Sequence, residues 1–120
     1  MKKTLLFCAL LLLALGSCYY DVEEELYPTS NCQTANMSYA NNILPIIRDN
    51  CYVCHSAALN TGNVTLEGYE NLKGYADSGK LVGAIKHESG FSPMPQGQPM
   101  LIDCNVAKIE QWVNDGAPNN

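Results

Sequence analysis

The sequence contains few basic residues. Seven Lys and Arg stand against twelve Asp and Glu, which gives a net charge of −5 at pH 7 for the 120-residue chain. Lys2 and Lys3 lie at the very start, so the remainder of the chain is more acidic still. Nucleic acid is therefore not expected as a partner, because phosphate binding needs clustered positive charge.

The sequence also lacks a convincing alternation of apolar and polar residues with a period of two, so no β-strand is predicted. It shows no strand–helix–strand pattern, which is the usual setting of a thioredoxin-like dithiol. There are two histidines, and Cys51 and Cys54 are the one close pair of cysteines. A structural zinc site needs four ligands and would be short of partners here. These absences favour a small all-α domain.

What is present begins with the layout of a secretory signal. A basic start, Met1 to Lys3, is followed by "TLLFCALLLLAL", an apolar run too short to span a bilayer comfortably. The run ends in "LGSC", which resembles the lipobox of bacterial lipoproteins. That resemblance implies a signal peptide at 1–17 and a lipidated N-terminus at Cys18. A plain secreted protein is the other interpretation.

Residues 18–37 carry a cluster of acidic side chains, Asp21, Glu23, Glu24 and Glu25. Such a segment is predicted to be a solvated tether rather than a packed element. It also resembles the surface-export signals of some lipoproteins. We therefore expect an exported bacterial lipoprotein held to a membrane through its lipid, either at the periplasmic face or at the cell surface, with the outer membrane favoured.

The motif "CYVCH" at 51–55 has the C-x-x-C-H spacing of c-type haem attachment. Two thiols about one turn apart can reach two vinyl groups on one edge of a porphyrin, and His55 then follows under the ring as an axial ligand. Haem c is thus the predicted cofactor, with Cys51 and Cys54 as thioether sites. A redox dithiol and a partial zinc site are the weaker interpretations.

Three side chains downstream could supply the sixth iron ligand. Met94 lies in "GFSPMPQGQP", between two prolines that restrict the backbone, and it is the predicted distal ligand. His87 follows a helical pattern and is expected at a solvated helix end, with bis-histidine ligation as a lesser alternative. Met100 precedes Leu101 and is expected in the core.

The other cysteines can be accounted for by elimination. Cys8 lies in the predicted signal and Cys18 takes the lipid, which leaves Cys32 and Cys104. In an oxidising compartment these two are predicted to form a disulfide, although two separate buried thiols remain the alternative.

Helical patterns account for the rest of the domain. A helix capped by Ser38 runs through "SYANNILPIIRDNC" and should kink or restart at Pro45. Two short helices are predicted in "GYENLKGYA" and "SGKLVGAIKH", and a last one in "DCNVAKIEQWVNDGAP", capped by Asp103 and ending at Gly116. We expect the first and last helices to pack together while long loops fold over a flat apolar cofactor.

These residues resemble a monohaem c-type cytochrome of class I, and in particular the small cytochrome c domains of bacterial lipoproteins. The resemblance rests on "NCYVCHS", "GFSPMPQG" and "KIEQWVNDGAP" and spans 38–118. It implies a small cytochrome c-like helical domain in which Cys51 and Cys54 hold haem c and His55 and Met94 bind its iron.

The implied function is electron transfer, not enzymatic catalysis, between redox protein partners that carry a basic docking patch. Two alternatives stay open. One is a haem domain with a labile sixth site that binds a small gas, and the other is a haemless lipoprotein interaction module.

Overall fold

A computed structural model of the chain describes residues 32–120. The predicted signal peptide at 1–17, the predicted lipidation site Cys18 and most of the predicted acidic tether at 18–37 lie outside the described residues. A π-helical segment, Tyr39–Ile43, leads directly into α1, Leu44–His55. A 3₁₀ turn follows, and then helices α2, Tyr69–Asp77, α3, Lys80–Ile85, and α4, Asp103–Asn114. Residues 32–120 contain no strand, so the predicted all-α class is confirmed for this part of the chain.

The first helix begins and restarts where its sequence predicts. The hydroxyl of Ser38 accepts a hydrogen bond of 3.3 Å from the backbone N–H of Asn41 and so caps the π-helical segment. Pro45 stands in the first turn of α1. Proline is tolerated there because the first N–H groups of an α-helix have no partner within the helix. The helix therefore continues past the proline, and its last turn carries the C-x-x-C-H motif.

The core joins the start of the domain to its last helix. The ring of Tyr39 stacks on that of Trp112 with centroids 6.0 Å apart, and Trp112 is fully buried. The π-helical segment packs on α4 through this pair, and α3 packs on α4 farther along the chain. The core is completed by aliphatic residues from every helix, among them Ile43, Ile47, Leu72, Leu81, Ile85 and Ile109.

The segment after α4 returns to the start of the domain. Gly116 adopts a φ of 89° just after the helix, as expected for a glycine that ends a helix. Trp112 then donates from Nε1 to the carbonyl of Pro118 at 3.0 Å, and Tyr69 donates to the carbonyl of Ala117 at 2.8 Å. Asn120 accepts the hydroxyl hydrogen of Ser38 at 2.8 Å. These bonds fix the two ends of the domain side by side.

A disulfide joins Cys32 to Cys104, whose Cα atoms are 5.6 Å apart. It is the pairing predicted by elimination, and it ties the segment before the first helix to α4. Met37 is also buried, so residues 32–37 belong to the folded unit, ahead of the boundary predicted at residue 38.

The predicted cap of α4 is wrong by one position. Ile102 is the residue that precedes the helix, with an extended backbone, and no side-chain hydrogen bond caps it. Asp103 is the first helical residue, where its carboxylate interacts favourably with the positive end of the helix dipole.

Within residues 32–120, no helix has the length and apolar character needed to cross a membrane.

Candidate functional site

The C-x-x-C-H motif occupies the last turn of α1. Cys51 and Cys54 are both free thiols, while Cys32 and Cys104 are paired with each other. Because they stand three residues apart on a helix, the two thiols are neighbours on one face. Cys51 is half-buried against the core, and Cys54 is exposed. One thiol is thus anchored by packing and the other is accessible.

Burial changes the chemistry of Cys51. Desolvation raises the pKa of its thiol from 9.0 to about 11, because the apolar surroundings disfavour the thiolate. The side chain is therefore a neutral thiol at neutral pH and does not attack electrophiles readily.

His55 ends the helix with one ring nitrogen already engaged. Its Nδ1 lies 3.1 Å from the carbonyl oxygen of Val64. A carbonyl can only accept, so Nδ1 donates the hydrogen, and in the neutral imidazole Nε2 keeps a lone pair. This is the arrangement by which proteins orient a histidine that binds a metal through its other nitrogen.

Two hydrogen bonds fasten the loop after His55. The carbonyl of His55 accepts from the N–H of Leu66 at 2.8 Å, and the N–H of Ala57 donates to the carboxylate of Glu67 at 2.7 Å. Gly62, with a φ of 67°, supplies the turn between them. These contacts hold the Val64 carbonyl in place against the imidazole.

Met94 lies in a separate loop and is fixed to the end of α3. Its N–H donates to the carbonyl of Ala84 at 3.0 Å. The residue is half-buried between Pro93 and Pro95, and the Met94–Pro95 peptide bond is cis. The proline-flanked loop predicted from the sequence is therefore present, with Met94 neither in the core nor fully in solvent.

His87 has a role that the sequence did not reveal. Its Nε2 lies 3.1 Å from the carbonyl oxygen of Met94, and its own backbone has a positive φ of 54°. The expectation of a solvated helix end is correct as far as exposure goes, since the side chain is exposed. Only the folded loop brings these two residues together, so no local sequence motif predicts the contact.

Phe91 fastens the same loop from the other side. A Cβ atom placed on Gly83 would lie 2.5 Å from the Phe91 ring, so the ring rests directly on the backbone of α3. The N–H of Glu88 also donates to the carbonyl of Gly83, at 2.9 Å. The end of α3 is thus the platform on which the Met94 loop is built.

Met100 does not lie in the core, contrary to its prediction. Its side chain is 44% exposed, whereas the next residue, Leu101, is buried. Leu101, not Met100, is the residue of this pair that packs into the core.

Among residues 32–120, no hydrogen bond or ion pair links the motif at 51–55 with the loop at 86–94. Each segment is anchored independently, the first to the 56–66 loop and the second to α3. No group of three or more His, Cys, Asp or Glu in this part of the chain could hold a metal ion on its own.

A scan against family models finds no match for the chain, and neither curated proteins nor solved structures include a similar one.

Proposed function

We propose that the chain carries one haem c bound covalently through Cys51 and Cys54, and that it transfers electrons. The observation that carries the proposal is the state of His55. Its Nδ1 is engaged with the Val64 carbonyl at 3.1 Å, so Nε2 is the nitrogen left for iron, and two free thiols stand in the same helical turn.

The donor set fits the group on chemical grounds. Haem c needs two thiols at C-x-x-C spacing and an imidazole at the next position, which Cys51, Cys54 and His55 supply. When bound, haem c would supply an iron that alternates between the ferric and ferrous states. His/Met ligation, with Met94 as the second ligand, is typical of electron-transfer cytochromes and raises the reduction potential.

Each of these side chains then has a definite task. Cys51, packed against the core, would fix one edge of the macrocycle to α1, and the exposed Cys54 would complete the attachment. His55 would be kept in one tautomer and one orientation by Val64. Met94 would fill the sixth position from a loop whose backbone is bound to Ala84, which limits access by small molecules.

The helical scaffold supports the same interpretation without being specific to it. Residues 32–120 are all-α, and the π-helical segment at the start packs on α4 through Tyr39 and Trp112. Contact between the start and the end of the domain is one feature that a cytochrome c-like packing of first and last helices would require. We include that finer fold in the proposal, with loops that wrap haem.

The setting and partners follow from the sequence. A lipid on Cys18 would hold the carrier at a membrane of an exporting bacterium, where redox proteins can be met repeatedly. The chain is acidic, with a net charge of −5, so a partner with a basic docking patch is favoured. Glu67 places one exposed carboxylate beside the loop that follows His55.

Haem staining of denaturing gels tests the proposal. The full chain is expressed together with haem-maturation machinery, as wild type and as the double variant Cys51→Ser/Cys54→Ser. Stain should stay with the wild-type band after denaturation and disappear from the variant. The matched control is Cys32→Ser/Cys104→Ser, which also removes two cysteines and should retain the stain. A wild-type band without stain, in cells that mature other cytochromes, contradicts the proposal.

A further inference from the structure

Both backbone polar groups of Met94 have partners from the end of α3. The N–H donates to the carbonyl of Ala84 at 3.0 Å, and the carbonyl accepts from Nε2 of His87 at 3.1 Å. The first contact is backbone to backbone and any side chain would allow it. The second depends on the identity of residue 87.

The direction of that second bond is fixed by chemistry. A carbonyl oxygen has no hydrogen to give, so Nε2 of His87 must carry the hydrogen and donate it. The imidazole is then neutral with its lone pair on Nδ1, or fully protonated, and either form keeps the bond. The Nε2 atom is therefore committed to Met94.

The backbone at His87 adopts a conformation that is uncommon for residues other than glycine. Its φ of 54° falls in the left-handed region, where glycine and asparagine are the common occupants. The turn is closed by the N–H of His87, which donates to Ala84 at 3.2 Å, and by the N–H of Glu88, which donates to Gly83 at 2.9 Å. Histidine is one of the few side chains found in this region, and here its ring reaches the carbonyl of Met94.

We propose that His87 is a positioning residue for Met94, which fixes the ligand loop by holding the Met94 carbonyl. The inference rests on the proposed function, in which the Met94 thioether binds haem iron. When hydrogen bonds already hold the ligand loop in place, little conformational entropy is lost as its side chain binds iron. A mobile loop would leave the iron more often, and competing ligands could then bind. His87 would thus act through Met94, not as a ligand itself.

This role differs from bis-histidine ligation, in which His87 itself would bind iron. To do so through Nε2 it would have to give up the bond to Met94 and expel the methionine from its place. The two roles make opposite predictions for the same variants, so one experiment separates them.

Two substitutions that differ by one methylene group provide the test. The amide nitrogen of glutamine falls close to the position of histidine Nε2, so His87→Gln retains a donor that reaches the Met94 carbonyl. The shorter amide in His87→Asn corresponds to Nδ1 and falls short, although asparagine suits the left-handed backbone better. A folding defect from the backbone would therefore affect His87→Gln more, while loss of the donor affects His87→Asn more.

The readouts are the Met–iron band of the oxidised protein at about 695 nm and the affinity for added imidazole. Both are measured on the full chain matured with haem and solubilised in detergent. Imidazole binds only after Met94 leaves, so its apparent affinity reports how often the loop opens. We expect His87→Asn to bind imidazole about fivefold more tightly than wild type, the effect of one lost hydrogen bond, and His87→Gln to stay close to wild type.

Several results overturn the inference. Wild-type behaviour of His87→Asn shows that the contact does not position Met94, and equal effects in both variants show that the donor is not the cause. A wild type without the Met–iron band, whose low-spin spectrum is lost in His87→Asn, makes His87 the ligand. If the wild type carries no covalent haem, both the proposed function and this inference fail. If it carries haem but the His87 variants behave like wild type, only the inference fails.

Discussion

Nδ1 of His55 lies 3.1 Å from the carbonyl oxygen of Val64, at the end of the helix that carries Cys51 and Cys54. In the neutral imidazole this one contact places the hydrogen on Nδ1 and the lone pair on Nε2. It is provided by the backbone of a loop nine residues away, and the loop is fastened to His55 a second time through Leu66. The site is therefore built by the fold of the 56–66 loop as much as by the motif itself.

Replacing His55 should remove the proposed first axial ligand while leaving the thiols in place. In His55→Ala the yield of covalent haem is expected to fall severalfold, and the haem that is attached should give a high-spin spectrum. Added imidazole should restore a low-spin spectrum, because it can occupy the vacated position. An unchanged optical spectrum in His55→Ala would show that this histidine does not bind iron.

Carbon monoxide tests whether the sixth position is open. Met94 is bound to the end of α3 through its N–H and its carbonyl, so it should resist displacement in the reduced protein. We expect little change in the reduced spectrum under carbon monoxide at neutral pH, and a clear shift in Met94→Ala. Full binding by the wild type would favour the gas-binding alternative.

The contact between Gly83 and Phe91 can be tested by adding a single methyl group. Gly83→Ala would place a Cβ 2.5 Å from the Phe91 ring, so the ring must shift away from the helix backbone. We expect a loss of about 1–3 kcal/mol in the free energy of unfolding, as for other overpacked sites. Urea titration followed by circular dichroism measures it.

Gly74→Ala is the matched control for that substitution. Gly74 lies inside α2, and a Cβ there meets no atom within 4 Å. Alanine should therefore stabilise the domain by about 0.5–1 kcal/mol, the usual gain for glycine to alanine within a helix. Equal effects of the two substitutions would mean that the Phe91 contact does not constrain position 83.

The disulfide between Cys32 and Cys104 should contribute strongly to stability. Its half-cystines are 72 positions apart in sequence. In the chain-entropy model a loop of that size stabilises by about 4 kcal/mol. Cys32→Ser/Cys104→Ser should therefore unfold at much lower denaturant, and wild type treated with reductant should match it. A midpoint that neither change moves would contradict this role for the bond.

Thiol alkylation in protein made without haem tests the environment of Cys51. Burial raises the pKa of Cys51 to about 11, so its thiolate fraction should rise about tenfold per pH unit below that value. At pH 8 we expect the exposed Cys54 to be alkylated first and Cys51 far more slowly. Mass mapping of the labelled peptides measures both rates. Equal rates in the folded protein would show that Cys51 is not buried.

The same pKa shift predicts how the haem-free protein responds to alkali. Because the folded state favours the neutral thiol, the stabilising effect is complete below pH 9 and is lost as the pH rises through about 11. Unfolding free energies of wild type should therefore decline more steeply between pH 9 and 11 than those of Cys51→Ala. Parallel pH profiles for the two proteins would contradict the shift.

The helices could be predicted because their sequence signals are local, and the disulfide could be predicted because the cysteines can be counted and assigned. Pro45 indicated a helix restart, Gly116 a helix end, and the cysteine count left Cys32 and Cys104 as a pair. Apolar character alone does not say which of two neighbouring residues faces inward, so the sequence predicts Met100 in the core although Leu101 is the buried one.

The supporting contacts of the candidate site were beyond sequence reasoning. Val64 acts through a backbone carbonyl, which any residue possesses, so its identity carries no signal. His87 meets Met94 only because the chain reverses at a left-handed residue. The Phe91 ring packs directly on the backbone of Gly83, whereas the sequence alone indicates only that this glycine weakens its helix.

The electronic spectrum of the full chain, expressed with haem-maturation machinery, tests the central claim most directly. The account predicts covalent haem with a low-spin oxidised spectrum and a band at about 695 nm from Met94–iron ligation, which Met94→Ala abolishes. A chain that emerges from the same cells without haem, with Cys51 and Cys54 still free to be alkylated, would contradict it.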